Sequence, residues 1–191
     1  PHSRGFLNAA EAEKKISFSR KNSAYTENSG GISVPVAGGR AESKLIGEFN
    51  VENILAATAL SEAMGIPEDK IIKGIVGTQT VEGRLEHISI GQPFEVIIDY
   101  AHTPDSLEKV YKIFRKKRKI CVLGASGGGR DAWKRPEMGR TAEEYCEEII
   151  LTNEDPYDEA PEKIIAEIAS GIKNKNPKII IDRREAIREG I

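Results

Sequence analysis

Cysteine is almost missing from this chain. Cys121 and Cys146 are the only two in 191 residues, too few for a disulfide framework, and a reduced, cytoplasmic setting is the resulting expectation. An excess of charge is missing too. Against 30 Asp and Glu stand 28 Lys and Arg, a formal net charge of −2, so nothing points to nucleic acid and there is no acidic tail. Apolar runs reach only about four residues, far below the roughly 20 of a membrane-spanning helix, and no membrane association is expected. No charged-then-apolar opening reads as a signal peptide. His2, His87 and His102 lie far apart, so no His/Cys cluster has metal-ligand spacing, and no Ser/His/Asp arrangement emerges. The chain opens on Pro1 instead of Met, which reads as a fragment. Apolar residues at 39%, with 18 Gly, nevertheless reach the globular share of roughly 45–50% and exclude disorder.

The first fifty residues read as irregular. Asn, Ser and Gly crowd 22–33 (Asn22-Ser23, Asn28-Ser29-Gly30-Gly31), and Gly38-Gly39 follows. One short strand, Ile32–Val36, is expected, with Pro35 confining it to a sheet edge; the whole reads as a frayed end and not as a core. From Asn50, taken as an N-cap, Ile54, Leu55, Ala57, Thr58, Leu60 and Met64 form a helical stripe ended by Gly65. Pro67 opens a second helix carrying Ile71, Ile72 and Ile75, ended by Gly77.

Beyond Gly83 strands and helices alternate: strand 94–98, helix 104–114, strand 119–123, helix 135–147, strand 148–151, helix 161–172, strand 178–181, and a helix from about Arg184. Short unalternating apolar strands separated by helices imply βαβ crossovers. The fold class is therefore α/β, a Rossmann-like, mostly parallel sheet with helices on both faces. Ligands of such sheets bind beyond the carboxyl ends of the strands, which singles out the loops 99–103, 124–131 and 152–157.

Three strings there carry chemistry. Gly124-Ala-Ser-Gly-Gly-Gly129-Arg130-Asp131 has the Walker A spacing, but Arg130-Asp131 replaces the Lys-Ser/Thr that a triphosphate and magnesium require. A loop binding an anion or carboxylate through Arg130 is the favoured reading, a plain turn the alternative. In Asp99-Tyr-Ala-His-Thr-Pro104, Asp99 suits a ribose hydroxyl pair and His102 offers one donor and one acceptor; equally, Asp99 and Thr103 can simply cap the next helix. Thr152-Asn-Glu-Asp-Pro-Tyr-Asp-Glu159 is acidic and suits an ammonium, or is a solvated loop. Cys121 reads as core, and Trp133 with Lys134-Arg135-Pro136 as loop anchoring or a substrate contact.

Five strings in order resemble the Mur ligases of the MurE type, the UDP-N-acetylmuramoyl-tripeptide synthetases. They are Gly47–Ala57, Glu82–Glu86, Asp99–Asp105, Gly127–Asp131 with Lys134–Gly139, and Leu151–Pro156, and the resemblance runs from about residue 45 onward, roughly three quarters of the chain. The resemblance implies a three-domain enzyme that uses ATP to make an acyl-phosphate, which an amino acid's amine then attacks. Residues 1–81 would be the tail of its central ATPase domain and 82–191 most of its C-terminal Rossmann-like domain, acting as a lid. The implied substrates are ATP, the UDP-N-acetylmuramoyl dipeptide and a diamino acid, in cytoplasmic cell-wall precursor synthesis by a monomer. The P-loop, the Mg2+ ligands and the catalytic residues are expected upstream, so this chain alone is expected to be inactive.

Residue by residue, the resemblance sets Asn53 at the adenine, Arg84 at the terminal phosphates, Asp99 at the ribose and His102 near the nucleotide. Arg130, Glu154, Asp155, Pro156 and Tyr157 would select the amino acid. Members that add meso-diaminopimelate carry Asp-Asn-Pro-Arg where this chain has Glu154-Asp155-Pro156-Tyr157. Tyr157 lacks the charge to clamp a second carboxylate, so lysine or another diamino acid is favoured, with Glu154 and Asp155 drawing its ammonium. A related ligase adding a different amino acid, and a non-catalytic nucleotide- or amino-acid-binding module, are the alternatives.

Overall fold

Ile32, Val34 and Val36 alternate with Ser33 and Pro35, and this period of two builds a core where the sequence suggested a frayed end. The computed structural model describes residues 23–28, 30–36, 39–129 and 131–191. His2, Asn22, Ser29, Gly38 and Arg130, singled out above, lie outside the described residues. Two compact units divide after Ile98.

In the first, β1 (Thr26–Asn28), β2 (Gly31–Val36) and β3 (Gly39–Ser43) form an antiparallel sheet in that order. Its apolar face meets Val51 and Ile54 of α1 (Glu48–Ala63), while Ile72 and Ile75 of α2 (Glu68–Gly77) pack at the margin. Pro35 therefore lies in the middle strand and not in an edge strand. The register explains the tolerance: β1 pairs only with residues 31–33, so it ends before Pro35, whose remaining partner is Arg40 of β3. Helix α1 starts earlier than Asn50. Gly47, at φ 93°, is its N-cap, and the Asn50 side-chain Nδ2 donates back to the Ile46 carbonyl at 2.7 Å. The buried stripe is Val51, Ile54 and Thr58, whereas Leu60 and Met64 are 64% and 71% exposed.

A hairpin follows. β4 (Glu86–Ile88) and β5 (Val96–Ile98) pair antiparallel, so the 94–98 run does not join the parallel sheet as expected. A three-residue partner with one apolar residue leaves too little periodicity to be read from sequence.

The second unit carries the parallel sheet, β6 (Ile120–Leu123), β7 (Glu148–Leu151) and β8 (Lys178–Ile179), in chain order. Its helices are α3 (Pro104–Ile113), α4 (Lys134–Tyr145), α5 (Pro161–Ala169) and α6 (Arg183–Gly190). Cys121, Leu123, Ile149 and Leu151 point into one core with Leu107, Met138, Ala142, Ile165 and Ile168. The alternate residues Ile120, Val122 and Ile150 lie beside Gly190 of α6 on the other face. Both faces are covered, which is why these strands read as unbroken apolar runs. Cys121 and Cys146 are buried core thiols. Among the described residues no helix is long and apolar enough to cross a membrane.

Gly74 stands inside α2 with open space where a Cβ would go. Gly74→Ala is expected to stabilise the chain by about 1 kcal/mol, since alanine loses less backbone entropy in a helix. Urea denaturation checks it, and a lowered midpoint would contradict the open-space reading.

Candidate functional site

The carboxyl ends of β6, β7 and β8 are laced together past the last sheet residue. Thr152 donates its amide to the Leu123 carbonyl at 2.9 Å, Asn153 to Ile181 at 3.2 Å, and Arg183 reaches the Asn153 carbonyl at 3.2 Å. The loops that follow are therefore launched from one rigid edge. The glycine loop after β6 lies directly on the loop after β7. Gly127 donates its amide to the Asp155 carbonyl at 2.8 Å. A Cβ on Gly127 would stand 1.9 Å from the Pro156 oxygen, an impossible approach, so no other residue fits there without displacing backbone.

A buried guanidinium fastens the pair from below. Arg135, in the first turn of α4, has a fully buried side chain. It holds both Glu159 oxygens at 2.9 Å, reaches Glu167 at 2.5 Å and donates to the Ser126 carbonyl at 3.1 Å. The same Glu159 carboxylate accepts the Gly129 amide at 2.9 Å. The Gly129 amide thus serves the protein's own Glu159 carboxylate. The Arg135 guanidinium, reinforced by the Gly129 amide, lowers the Glu159 carboxyl to about 2. The two carboxylates in turn push Arg135 upward, outweighing its burial.

Glu159 also closes a turn. Its amide donates to the Pro156 carbonyl at 3.0 Å, with Tyr157 as the first central residue at φ 52°. A bulky residue in the left-handed region costs about 1–3 kcal/mol and persists only where its surroundings over-determine it. Here the Tyr157 ring lies against Gly128 and is 76% exposed, open to a ligand. Glu154 and Pro156 are half-buried and Asp155 is exposed. The structure thus brings Glu154–Tyr157 together with the glycine loop, while Arg130 lies outside the described residues. Trp133 is exposed, and Arg135 is a loop anchor and not a ligand contact.

In the same unit, Asp99 accepts the Ala101 amide on Oδ1 at 2.8 Å, an Asx turn that sets the carboxylate's orientation. His102 Nδ1 lies 3.0 Å from the Tyr100 carbonyl. A carbonyl only accepts, so Nδ1 carries the hydrogen and Nε2 is the acceptor of the neutral ring. Thr103, with Ser106, makes a capping box on α3. The capping alternative therefore holds for Thr103, while Asp99 fastens the loop itself.

In the first unit Asn53 is exposed on α1, its amide 3.0 Å from the Asn50 oxygen. It borders a groove of about 340 Å³ between α1 and α2, floored by Ile54, Ala57, Ile71 and Ile75. Arg84 sits at a tight turn in which Arg84 donates its amide to Val81 at 2.9 Å and Gly83 donates to Glu86 at 2.8 Å. Among the described residues no group of three His, Cys, Asp or Glu can hold a metal ion, so the magnesium implied above finds no ligand set in them.

The Arg135–Glu159–Glu167 cluster went unread in the sequence. A lone Arg at a helix start and two scattered Glu carry no spacing signal, and Arg135 next to Pro136 hinted only at anchoring.

A family model described as "Mur ligase, glutamate ligase domain" matches residues 83–191. The UDP-N-acetylmuramoyl-L-alanyl-D-glutamate–2,6-diaminopimelate ligase of Thermosynechococcus vestitus is 37% identical over 186 residues, 93% of this chain and 37% of that protein. The enzyme of the same name from Syntrophomonas wolfei is 45% identical over 154 residues, covering 78% and 31%. A solved structure bearing that name aligns at 33% identity with a TM-score of 0.53, over 86% of this chain and 35% of the other. The chain spans about a third of the length of the curated relatives it matches. Since the family model covers more than half of the chain and takes in Asp99–His102, the glycine loop and the 152–159 turn, this chain belongs to the Mur ligase family.

Proposed function

We propose that this chain is part of an ATP-dependent ligase that adds a diamino acid to a UDP-N-acetylmuramoyl dipeptide. The observation that carries the reading is the interlocked pair of loops at the strand ends, with Tyr157 exposed at the apex, in a chain whose relatives are named as diaminopimelate ligases. In the reaction, the γ-phosphoryl group of ATP passes to the dipeptide's carboxylate and ADP leaves. The amine attacks the acyl carbon, the C–N bond forms and phosphate departs.

The residues divide accordingly. Asn53 faces the adenine, Asp99 takes the ribose hydroxyls with both carboxylate oxygens as acceptors, and His102 lies near the nucleotide with Nε2 as an acceptor. Arg84 counters charge developing on the transferred phosphoryl group. Arg130 pairs bidentately with the amino acid's α-carboxylate. Glu154 and Asp155 draw its side-chain ammonium, with Pro156 and Tyr157 as the wall. The catalytic residues, the phosphate-binding loop and the Mg2+ ligands belong elsewhere in the whole protein. We assign residues 1–81 to its central domain and 82–191 to its C-terminal domain, with a cytoplasmic, monomeric enzyme serving cell-wall synthesis and so cell shape and division.

Phosphate release by the full-length protein, given ATP, magnesium and the UDP-linked dipeptide, tests this. Release is expected to depend on one diamino acid among lysine, ornithine and meso-diaminopimelate, and the uncharged Tyr157 favours lysine or ornithine. Release that none of them stimulates would overturn the ligase.

A further inference from the structure

The hydrogen bonds of Arg135 and Glu159 to Ser126, Gly129, Pro156 and Glu167 and to each other tie the selectivity turn to the glycine loop. Arg135 fixes both carboxylate oxygens of Glu159. The backbone amide of Glu159 closes the turn on Pro156, and Tyr157 is held at the apex in the left-handed region. The Glu159 carboxylate simultaneously binds the Gly129 amide of the opposing loop, one residue before Arg130, and Arg135 binds the Ser126 carbonyl four residues before it. A single buried ion pair therefore ties together the backbone of both loops. Charge and a two-pronged geometry are both needed: a neutral or single-pronged replacement holds one loop at most.

We infer that the buried Arg135–Glu159 pair is a positioning device for amino-acid selection, holding the turn that presents Tyr157 and the glycine loop from Ser126 to Gly129 in one fixed register. The fork on Glu159 and the single bonds to Ser126 and Gly129 make the register a property of the pair and not of either loop alone. The inference rests on the ligase reading above. It also separates this glycine loop from a phosphate cradle, because the Gly129 amide that a phosphate would use is already committed to Glu159, and that of Gly127 to Asp155.

The test uses the full-length protein with Glu159→Gln, which keeps the shape and removes the charge, and Arg135→Lys, which keeps the charge and removes the fork. KM for the amino acid, KM for ATP and kcat are measured, together with hydrogen exchange of the backbone amides. We expect KM for the amino acid to rise tenfold or more in both variants, with KM for ATP and kcat within about twofold of wild type. Amide exchange should quicken at 127–129 and 155–159 and stay unchanged in Cys121–Leu123 and Ile149–Leu151. An unchanged KM for the amino acid overturns the inference. So does a parallel rise in both KM values, or faster exchange throughout the sheet, since a merely structural pair would produce either. A wild-type enzyme that no amino acid stimulates fails differently: it removes the ligase reading, and the inference with it.

Discussion

Gly139→Ala is expected to destabilise the chain by about 2 kcal/mol, although alanine is the better helix former. Gly139 lies in α4 where it crosses α5, and a Cβ there would stand 2.0 Å from the main-chain oxygen of Ile168. The contact is reciprocated, since a Cβ on Gly171 would stand 1.8 Å from the oxygen of Pro136. Both obstacles are backbone and cannot swing aside, so the helices must part. Overpacking of this kind costs about 1–3 kcal/mol or more, against a propensity gain of about 1 kcal/mol. The parting would also reach the Arg135–Glu167 contact, which bridges the same two helices. At about 4–8 °C per kcal/mol for a unit of this size, the midpoint should fall by roughly 10 °C. Thermal denaturation followed by circular dichroism measures it. A midpoint that rises, as expected for Gly74→Ala, would show that the crossing is not set by these glycines.

Arg135→Met should cost about 3 kcal/mol, the lower end for removing one partner of a buried ion pair, because Glu159 and Glu167 keep some access to water. It should also change how the chain responds to acid. The Glu159 carboxyl sits at about 2 when folded and near 4.3 when unfolded. Its contribution is therefore complete above the unfolded value and is lost as the pH falls toward 2. Glu143 and Glu147 are lowered as well, by backbone amides at 173–175 and at Lys119, and both remain in the variant. The difference between wild type and Arg135→Met therefore isolates the cluster. Urea titrations between pH 6 and pH 2.5 should show the gap between the two proteins narrowing as the pH falls below about 4. A gap that stays constant would mean that Glu159 gains nothing from Arg135.

What the amino-acid order determined by itself was the second unit's architecture and the location of its loops. Ile120–Leu123 and Glu148–Leu151 are apolar runs too short for helices, and Thr103-Pro104 and Pro161 announce the helices between them. These are local signals, carried by periodicity and caps within a few residues. The loop 152–157 was legible for the same reason, as a polar loop after a strand.

Tertiary structure alone decided the rest. Pro35 became tolerable in a middle strand because the preceding strand β1 stops short of it, a fact of strand register. The 94–98 run went to a hairpin because its three-residue partner β4 captured it. Gly127 and Gly139 are glycine because backbone from 29 residues further along the chain occupies the space of a Cβ. Arg135 and Glu159, 24 residues apart, became a pair only when two helices and two loops converged. Such contacts leave no period in the sequence, because the groups that meet are separated by whole elements whose packing must exist before either residue acquires its role.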